Sequence, residues 1–333
     1  MNEKNTRLID ANGNRLVEAI RVIEDIARFV RNDRLITSRL KEIRHKTTQL
    51  LPQYELLKRR DVKGDIGRDA EFDISRKESV NDILLANFSR AEESARVLEE
   101  FLSLEFKEIR FSLYGLEKAM LMRKKIDLSL YVITNRGYCR GKPLPAVVEE
   151  SLKGGATAVQ LRDKDAHINE LIEEASMLIP LTKKYNVPLI INDRVDVCMA
   201  VDADGVHLGE EDMRVEYARD ILGDGKIIGF STSSTRRAKK VEYFVDYIGC
   251  GSVYKSPTKS SKDVIGIPKL QKMVKAIKKD VVAIGGINLD NLREVMDVGV
   301  TGIALCAGIF DVQNVRRQTR RYKKEIERKG GVC

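Results

Sequence analysis

From residue 128 to about residue 308 the chain alternates two patterns with little between them. Short apolar runs stand at 130–134, 158–161, 189–191, 206–208, 227–229, 247–249, 281–284 and 303–305. The intervening segments, such as 171–184, 218–222, 270–278 and 292–298, carry apolar residues three and four apart, the spacing of a helix with one buried face. Near-continuous apolar runs belong to strands covered on both faces, so the alternation predicts parallel strands joined by helices. Eight such units predict a compact (β/α)8 TIM barrel, an architecture whose active sites lie at the C-terminal ends of the strands.

The first 125 residues follow a different period. Leu16, Ala19, Ile20, Ile23 and Ala27 have helical spacing over 12–29, and 87–104 repeats the pattern. Asn12, Arg15, Glu18, Arg21, Val22, Glu24 and Asp25 recur as Asn87, Arg90, Glu93, Arg96, Val97, Glu99 and Glu100, always 75 residues later. Surface ion pairs need only charges of suitable sign, whereas here residue types recur at fixed places. The repeat is either a ligand site or a structural network, a paired and partly buried polar constellation about a pseudo-two-fold axis. The fold class is thus α/β, a TIM barrel preceded by a mostly α-helical domain with an internal duplication. The expected bounds are 1–125 and 128–315, with a basic C-terminal helix or solvated tail at 316–333.

Composition changes this picture little. The 333 residues are 43% hydrophobic and 33% charged, as in globular domains. No apolar run approaches the roughly 20 residues of a membrane span, and the start lacks a signal-peptide layout. Cysteines 139, 198, 250, 306 and 333 have no metal-binding spacing and read as reduced cytoplasmic thiols. Most of the net +9 comes from eight Lys and Arg between 316 and 329, without the interleaved aromatics of a single-strand nucleic-acid binder.

Chemistry-bearing residues gather at the strand ends. Asn192-Asp193-Arg194 follows the third strand, and Asp212 closes Gly209-Glu210-Glu211-Asp212 after the fourth. Two carboxylates on neighbouring parallel strands can share one divalent cation, and an oxygen-only pair suits Mg²⁺ better than Zn²⁺. Gln160-Leu161-Arg162-Asp163-Lys164 places two cations and an amide after the second strand, a set suited to a polyanion. Ser231-Thr232-Ser233-Ser234 follows the fifth strand, and the polar loop 254–262 after the sixth is placed to close over a ligand. Gly285-Gly286 and Cys306-Ala307-Gly308 follow strands seven and eight, where this fold usually binds phosphate. His207 reads as a satisfied structural histidine, and Asp163, Asp165, Glu210 and Glu211 as solvated or secondary. No Ser-His-Asp or Cys-His arrangement is visible.

Six motifs in order, QLRDK (160–164), IINDRVDV (190–197), DGVHLGEED (204–212), IIGFSTSS (227–234), YIGCGSVYKSPTKS (247–260) and AIGGI (283–287), closely resemble thiamine-phosphate synthases. The resemblance implies an enzyme that joins 4-amino-2-methyl-5-(diphosphooxymethyl)pyrimidine to a thiazole phosphate and releases pyrophosphate. It implies that Asp193 and Asp212 hold Mg²⁺. Gln160, Arg162, Lys164, Asn192 and Lys259 would bind the pyrimidine diphosphate, with Leu161 and Asp163 completing that segment. Ser231, Ser256, Pro257, Thr258, Gly286 and the Cys306-Ala307 backbone would receive the thiazole phosphate. Lys259, Ser231 and Arg162 are the expected catalytic residues. Ala307 stands where the family often has serine, which removes a side-chain contact there but not a backbone one.

The helical half is similar to a domain fused ahead of some of these synthases and assigned as a hydroxymethylpyrimidine-phosphate kinase. That implies ATP use, with a site at Arg15, Glu18, Arg21, Arg90, Glu93 and Arg96 together with Arg59 or Arg60. Residues 59–68, rich in glycine and charge, read as a phosphate-binding loop or a solvated turn, and no Walker-type loop occurs. The rival readings are a thiazole tautomerase-like barrel, a phosphate-sugar epimerase or decarboxylase, and a non-catalytic dimerisation module in the first half. The partners implied are small phosphorylated pyrimidine and thiazole substrates and further copies of the chain, with neither nucleic acid nor membrane.

Overall fold

Strand residues alternate between two faces, and in the second half both faces find a partner because the sheet closes on itself. The computed structural model describes residues 3–31, 33–58, 79–122, 126–255 and 264–330. Its backbone divides into two units, Met1–Lys124 and Lys125–Cys333. The second carries β1 (Leu130–Ile133), β2 (Ala158–Leu161), β3 (Leu189–Asn192), β4 (Gly205–Leu208), β5 (Ile227–Ser231), β6 (Tyr247–Gly251), β7 (Asp280–Ile284) and β8 (Gly302–Leu305). All pair in parallel in sequence order, and β1 pairs with β8 to close the barrel. The predicted TIM barrel is therefore present, with strand limits moved by two residues at most.

Period-two alternation sorts the side chains into two cores. Outward residues such as Val132, Val159, Leu161, Ile191, Val206, Ile228, Ile248 and Ile303 pack beneath the helical ring. Inward residues Tyr131, Ile133, Ala158, Ile190, Tyr247, Val282 and Ala304 fill the barrel. On β2 to β5 the inward positions nearest the C-terminal ends are polar: Gln160, Asn192, His207 and Ser231. That placement makes the mouth chemically different from the floor.

The last helix, Val315–Gly330, differs from the solvated tail its charges suggest. Val315, Thr319, Tyr322 and Ile326 form a buried stripe at helical spacing, and the three apolar members join the core outside the strands. Its many cations occupy the opposite face.

The first unit contains α1 (Glu3–Asp25), α2 (Arg34–Leu50), α3 (Gln53–Lys58), α4 (Val80–Phe101) and α5 (Glu105–Met122), with a π turn at Ile26–Val30 after α1. The duplicated segments lie on α1 and α4, which pack against each other, while α2 flanks α1 and α5 flanks α4. Leu16, Ile20 and Ile23 of α1 meet Phe88, Ala91, Ala95 and Leu98 of α4 in one core. Asp33 caps α2 and a Ser79–Asp82 capping box opens α4, satisfying N–H groups that a helix start leaves unpaired. Among the described residues no helix is long and apolar enough to cross a membrane.

Arg219 is the largest fully buried side chain and ties two strands together. It pairs with Asp246 at 2.9 Å, and that carboxylate also accepts from Ile228 N at 2.8 Å. Its other donors reach the carbonyls of Gly223, Lys226 and Phe244. Arg219→Ala would leave Asp246 buried without its counter-charge and is expected to cost about 3–5 kcal/mol of stability, measured by urea unfolding.

Candidate functional site

A cavity of about 540 Å³ opens at the C-terminal ends of the strands. Its wall takes Asn135 from beyond β1; Gln160, Arg162 and Lys164 from β2 and its loop; and Asn192 and Asp193 from β3. His207 and Asp212 come from β4 and its loop, Ser231 and Thr232 from β5, Ser252 follows β6, Gly285 follows β7 and Cys306 follows β8.

Asp193 leaves β3 with φ 62°, in the left-handed region, which costs most L residues roughly 1–2 kcal/mol and is best tolerated by Asn and Asp. Its N–H donates to His207 O at 2.9 Å. The turn carries its carboxylate beside Asp212, whose Oδ2 accepts from Gly209 N at 2.6 Å. Lys164 Nζ lies 3.3 Å from Asp193 Oδ2. Burial and the neighbouring Asp212 push the Asp193 carboxyl above its ordinary pKa, with Lys164 opposing. Acids crowded in this way form a site short of positive charge. Among the described residues no group of three or more His, Cys, Asp or Glu converges. A hard divalent cation held by this pair would complete its shell with water or substrate oxygens, as Mg²⁺ commonly does, so the donor set fits that ion.

Not every residue of the QLRDK segment faces the cavity. Alternation turns Leu161 outward into the core beneath the helices. Asp163 lies 3.2 Å from Arg136, which also pairs with the buried Glu174 at 2.9 Å, and Asp163 Oδ1 accepts from the N–H groups of Asp165 and Ala166. Asp163 therefore shapes the loop that presents Arg162 and Lys164. Glu210 has a comparable supporting place: it accepts from Thr232 Oγ1 at 2.6 Å and pairs with Arg237.

On the opposite rim, Gly286 adopts φ 67°, and a Cβ there would strike the Lys255 carbonyl and Tyr254. Only glycine lets the chain after β7 rest against the loop after β6. Gly285 and Cys306 line the cavity; Gly286 and Ala307 stand one residue beyond its wall. Burial drives the Cys306 thiol up to about 12, so it stays protonated at neutral pH. Ser256, Pro257, Thr258 and Lys259 lie outside the described residues.

Two cavity-floor residues were missed in the sequence. Tyr131 and Tyr247, fully buried, join their hydroxyls at 2.9 Å; Gln160 Nε2 donates to Tyr131 at 2.8 Å. His207 Nδ1 lies 2.9 Å from Tyr247 Oη and its Nε2 2.7 Å from Ser231 Oγ. A tyrosine at an inward position of a barrel strand was the available signal.

In the helical unit the repeat has an exposed and an inward part. Arg15, Glu18, Arg21, Arg90, Glu93 and Arg96 are all exposed, in contrast to the partly buried constellation expected of them. Arg21 pairs with Asp25 at 3.5 Å and Arg96 with Glu100 at 2.5 Å. The inward members are Glu24, buried, and Glu99, half-buried, equivalent under the repeat and each paired at 2.8 Å with an arginine of the flanking helix, Arg44 and Arg110. Asn12 and Asn87 likewise each donate to the carbonyl four residues earlier. Glu92, unmatched in the first copy, is raised to about 7 by burial and by Glu117. Arg59 and Arg60 lie outside the described residues.

The family model for thiamine monophosphate synthase matches residues 130–309, and the ThiD2 family model matches residues 7–119. A thiamine-phosphate synthase from Synechocystis is 36% identical over 97% of this chain and 96% of its own length. Another, from Caldanaerobacter subterraneus, is 47% identical over 62% of this chain and 96% of its own. The solved thiamine phosphate pyrophosphorylase from Pyrococcus furiosus is 44% identical, with a TM-score of 0.57, over 62% of this chain and 98% of its own.

A carboxyl whose pKa is raised on folding costs stability as pH climbs from its unfolded value through its folded one. Asp193→Asn removes that cost. In Mg²⁺-free buffer its unfolding midpoint is expected above wild type at pH 7, with the difference gone below about pH 4, as thermal melts would show.

Proposed function

Since the chain belongs to the thiamine-phosphate synthase family, we propose that its barrel joins a pyrimidinylmethyl diphosphate to a thiazole phosphate at the cavity described above. The observation carrying this reading is the crowded Asp193/Asp212 pair with Lys164 and Arg162 on the same wall. In the reaction the methylene carbon–oxygen bond breaks and its electron pair leaves with pyrophosphate. The aminopyrimidine ring disperses the positive charge left on the methylene, and the thiazole nitrogen lone pair forms the new carbon–nitrogen bond. No proton has to be removed at the reacting carbon, which suits a site without a strong base.

Arg162 and Lys164 meet the leaving diphosphate, where fixed positive charge favours the charge that develops on it. Asp193 and Asp212 are proposed to hold Mg²⁺, which when bound supplies further charge neutralisation to that group. Gln160 and Asn192 orient the pyrimidine. Gly286 and the Cys306-Ala307 backbone, with Ser231, receive the thiazole phosphate and hold its nitrogen in line with the methylene. Lys259, with Ser256, Pro257 and Thr258, is proposed to close the site from the loop after β6. A tautomerase-like barrel has no use for this diphosphate-binding wall.

For residues 1–125 we propose ATP-dependent phosphorylation of the pyrimidine monophosphate, which would supply the barrel's substrate. The ThiD2 match supports it, as do the arginines that the repeat keeps exposed on α1 and α4.

Asp193→Asn is expected to lower coupling roughly 10²–10³-fold, the usual scale for losing one element of charge stabilisation, in an assay of the full chain with both substrates. Near-normal coupling would remove the metal assignment. The same variant, given pyrimidine monophosphate, ATP and Mg²⁺, is expected to accumulate the diphosphate. No ATP-dependent product would leave the helical unit non-catalytic.

A further inference from the structure

The polar chain across the barrel floor joins five strands. It runs from Gln160 on β2 through Tyr131 on β1, Tyr247 on β6 and His207 on β4 to Ser231 on β5. Its ends line the substrate cavity, while both tyrosines are buried to within 1% of complete exclusion from solvent. Space is reserved for it. A Cβ on Gly229 would collide with the Tyr247 ring and His207 Nδ1, and one on Gly249 would lie 3.1 Å from His207 Cε1 and 3.2 Å from Ser231 Oγ. The His207 and Tyr247 rings stack at 5.4 Å, and the two tyrosines meet edge to face at 5.8 Å.

Four links join five groups, and each link holds one hydrogen. Gln160 donates into the first through Nε2. The Tyr131 hydroxyl, already accepting, must then donate to Tyr247, and Tyr247 must donate to His207 Nδ1. An imidazole that accepts at Nδ1 carries its proton on Nε2 and donates it to Ser231 Oγ. The Ser231 hydrogen is left over, facing the cavity. In this direction of the chain His207 is the neutral imidazole with its proton on Nε2. One N–H of the Gln160 amide is held by Tyr131, which fixes the orientation of the amide and so the side on which its carbonyl oxygen stands as an acceptor.

We propose that Tyr131, Tyr247 and His207 are positioning residues, forming a one-directional hydrogen-bond relay that fixes Gln160 as an acceptor and Ser231 as a donor toward substrate. This rests on the coupling reaction proposed above. The acceptor suits the amino group of an aminopyrimidine, and the donor suits a phosphate oxygen. Neither end can reverse unless every link reverses, so recognition at one wall is tied to polarity at the other.

The chain has three histidines, and His45 and His167 are exposed, so the buried His207 is separable in ¹⁵N-imidazole NMR of the full-length protein. Wild type at pH 7 is expected to show neutral His207 with its proton on Nε2. Gln160→Glu, measured at pH 8 where a carboxylate beside Arg162 and Lys164 is ionised, has no donor for Tyr131. It is expected to reverse the chain and move the His207 proton to Nδ1. With Tyr247→Phe in the background, residue 160 should lose its influence on the His207 tautomer. An imidazolium or an Nδ1 proton in wild type, or an unchanged tautomer in folded Gln160→Glu, would overturn the relay. Tyr131→Phe gives a second measurement. KM for the pyrimidine diphosphate should rise about tenfold, the worth of one hydrogen bond, with KM for thiazole phosphate unchanged. Equal rises in both would overturn the proposal. The tautomer is read without turnover, so a failed switch with normal coupling sinks the relay alone, and an intact switch without coupling sinks the reaction alone.

Discussion

Closing eight parallel strands into a barrel imposes a condition that governs the rest of this unit. Every strand residue must face either the helical ring or a narrow interior, and the interior admits no bulk water. Apolar residues meet the condition on the outward face and on the floor. Polar residues can stand inside only where they open to the mouth or satisfy one another. Gln160, Asn192, His207 and Ser231 do so at the C-terminal ends of their strands, and the two tyrosines do so beneath them. Binding chemistry and core packing are thus two consequences of the same alternation.

The mouth then concentrates charge in a way that disfavours the empty protein. Asp193 sits in a left-handed turn, partly buried and facing Asp212, with one lysine as partial compensation. Strain and carboxylate repulsion at one residue are costs that the packed barrel sustains, and binding of cationic charge would relieve the electrostatic one. Asp163, next in sequence to this wall, and Glu210, which lines it, are occupied by Arg136 and by Arg237 with Thr232. These acids hold the loops in place, while Asp193 and Asp212 face each other with Lys164 beside them as a cationic partner.

Duplication in the helical unit is expressed most faithfully where the helices pack on their flanking partners. Glu24 and Glu99 have the same kind of arginine partner from the flanking helix, at the same distance. Exposed arginines recur at the same places without that packing reason, which is what sets them apart as candidates for binding. Glu92 breaks the symmetry, and its raised pKa marks the second copy as chemically different from the first.

Much of this was legible in the chain. Strand order, barrel closure and the position of the Asp193/Asp212 pair follow from short apolar runs alternating with helical spacing, because that alternation orders parallel strands and gathers the loops at their C-terminal ends. The pattern of QLRDK, Asp193, Asp212 and Gly286 likewise identified the family, since the fold places strand ends together by topology alone. Three things needed the tertiary structure. Leu161 and Asp163 share a motif with Gln160 and Arg162 but point elsewhere, because a one-residue step along a strand changes the face. The charges of the last helix concealed the buried stripe that packs it on the barrel. His207 read as an ordinary satisfied histidine, and its partners Tyr247 and Ser231 lie 40 and 24 residues away in the sequence. Local pattern determines which face a side chain takes; only closure of the barrel decides which distant side chain it meets there.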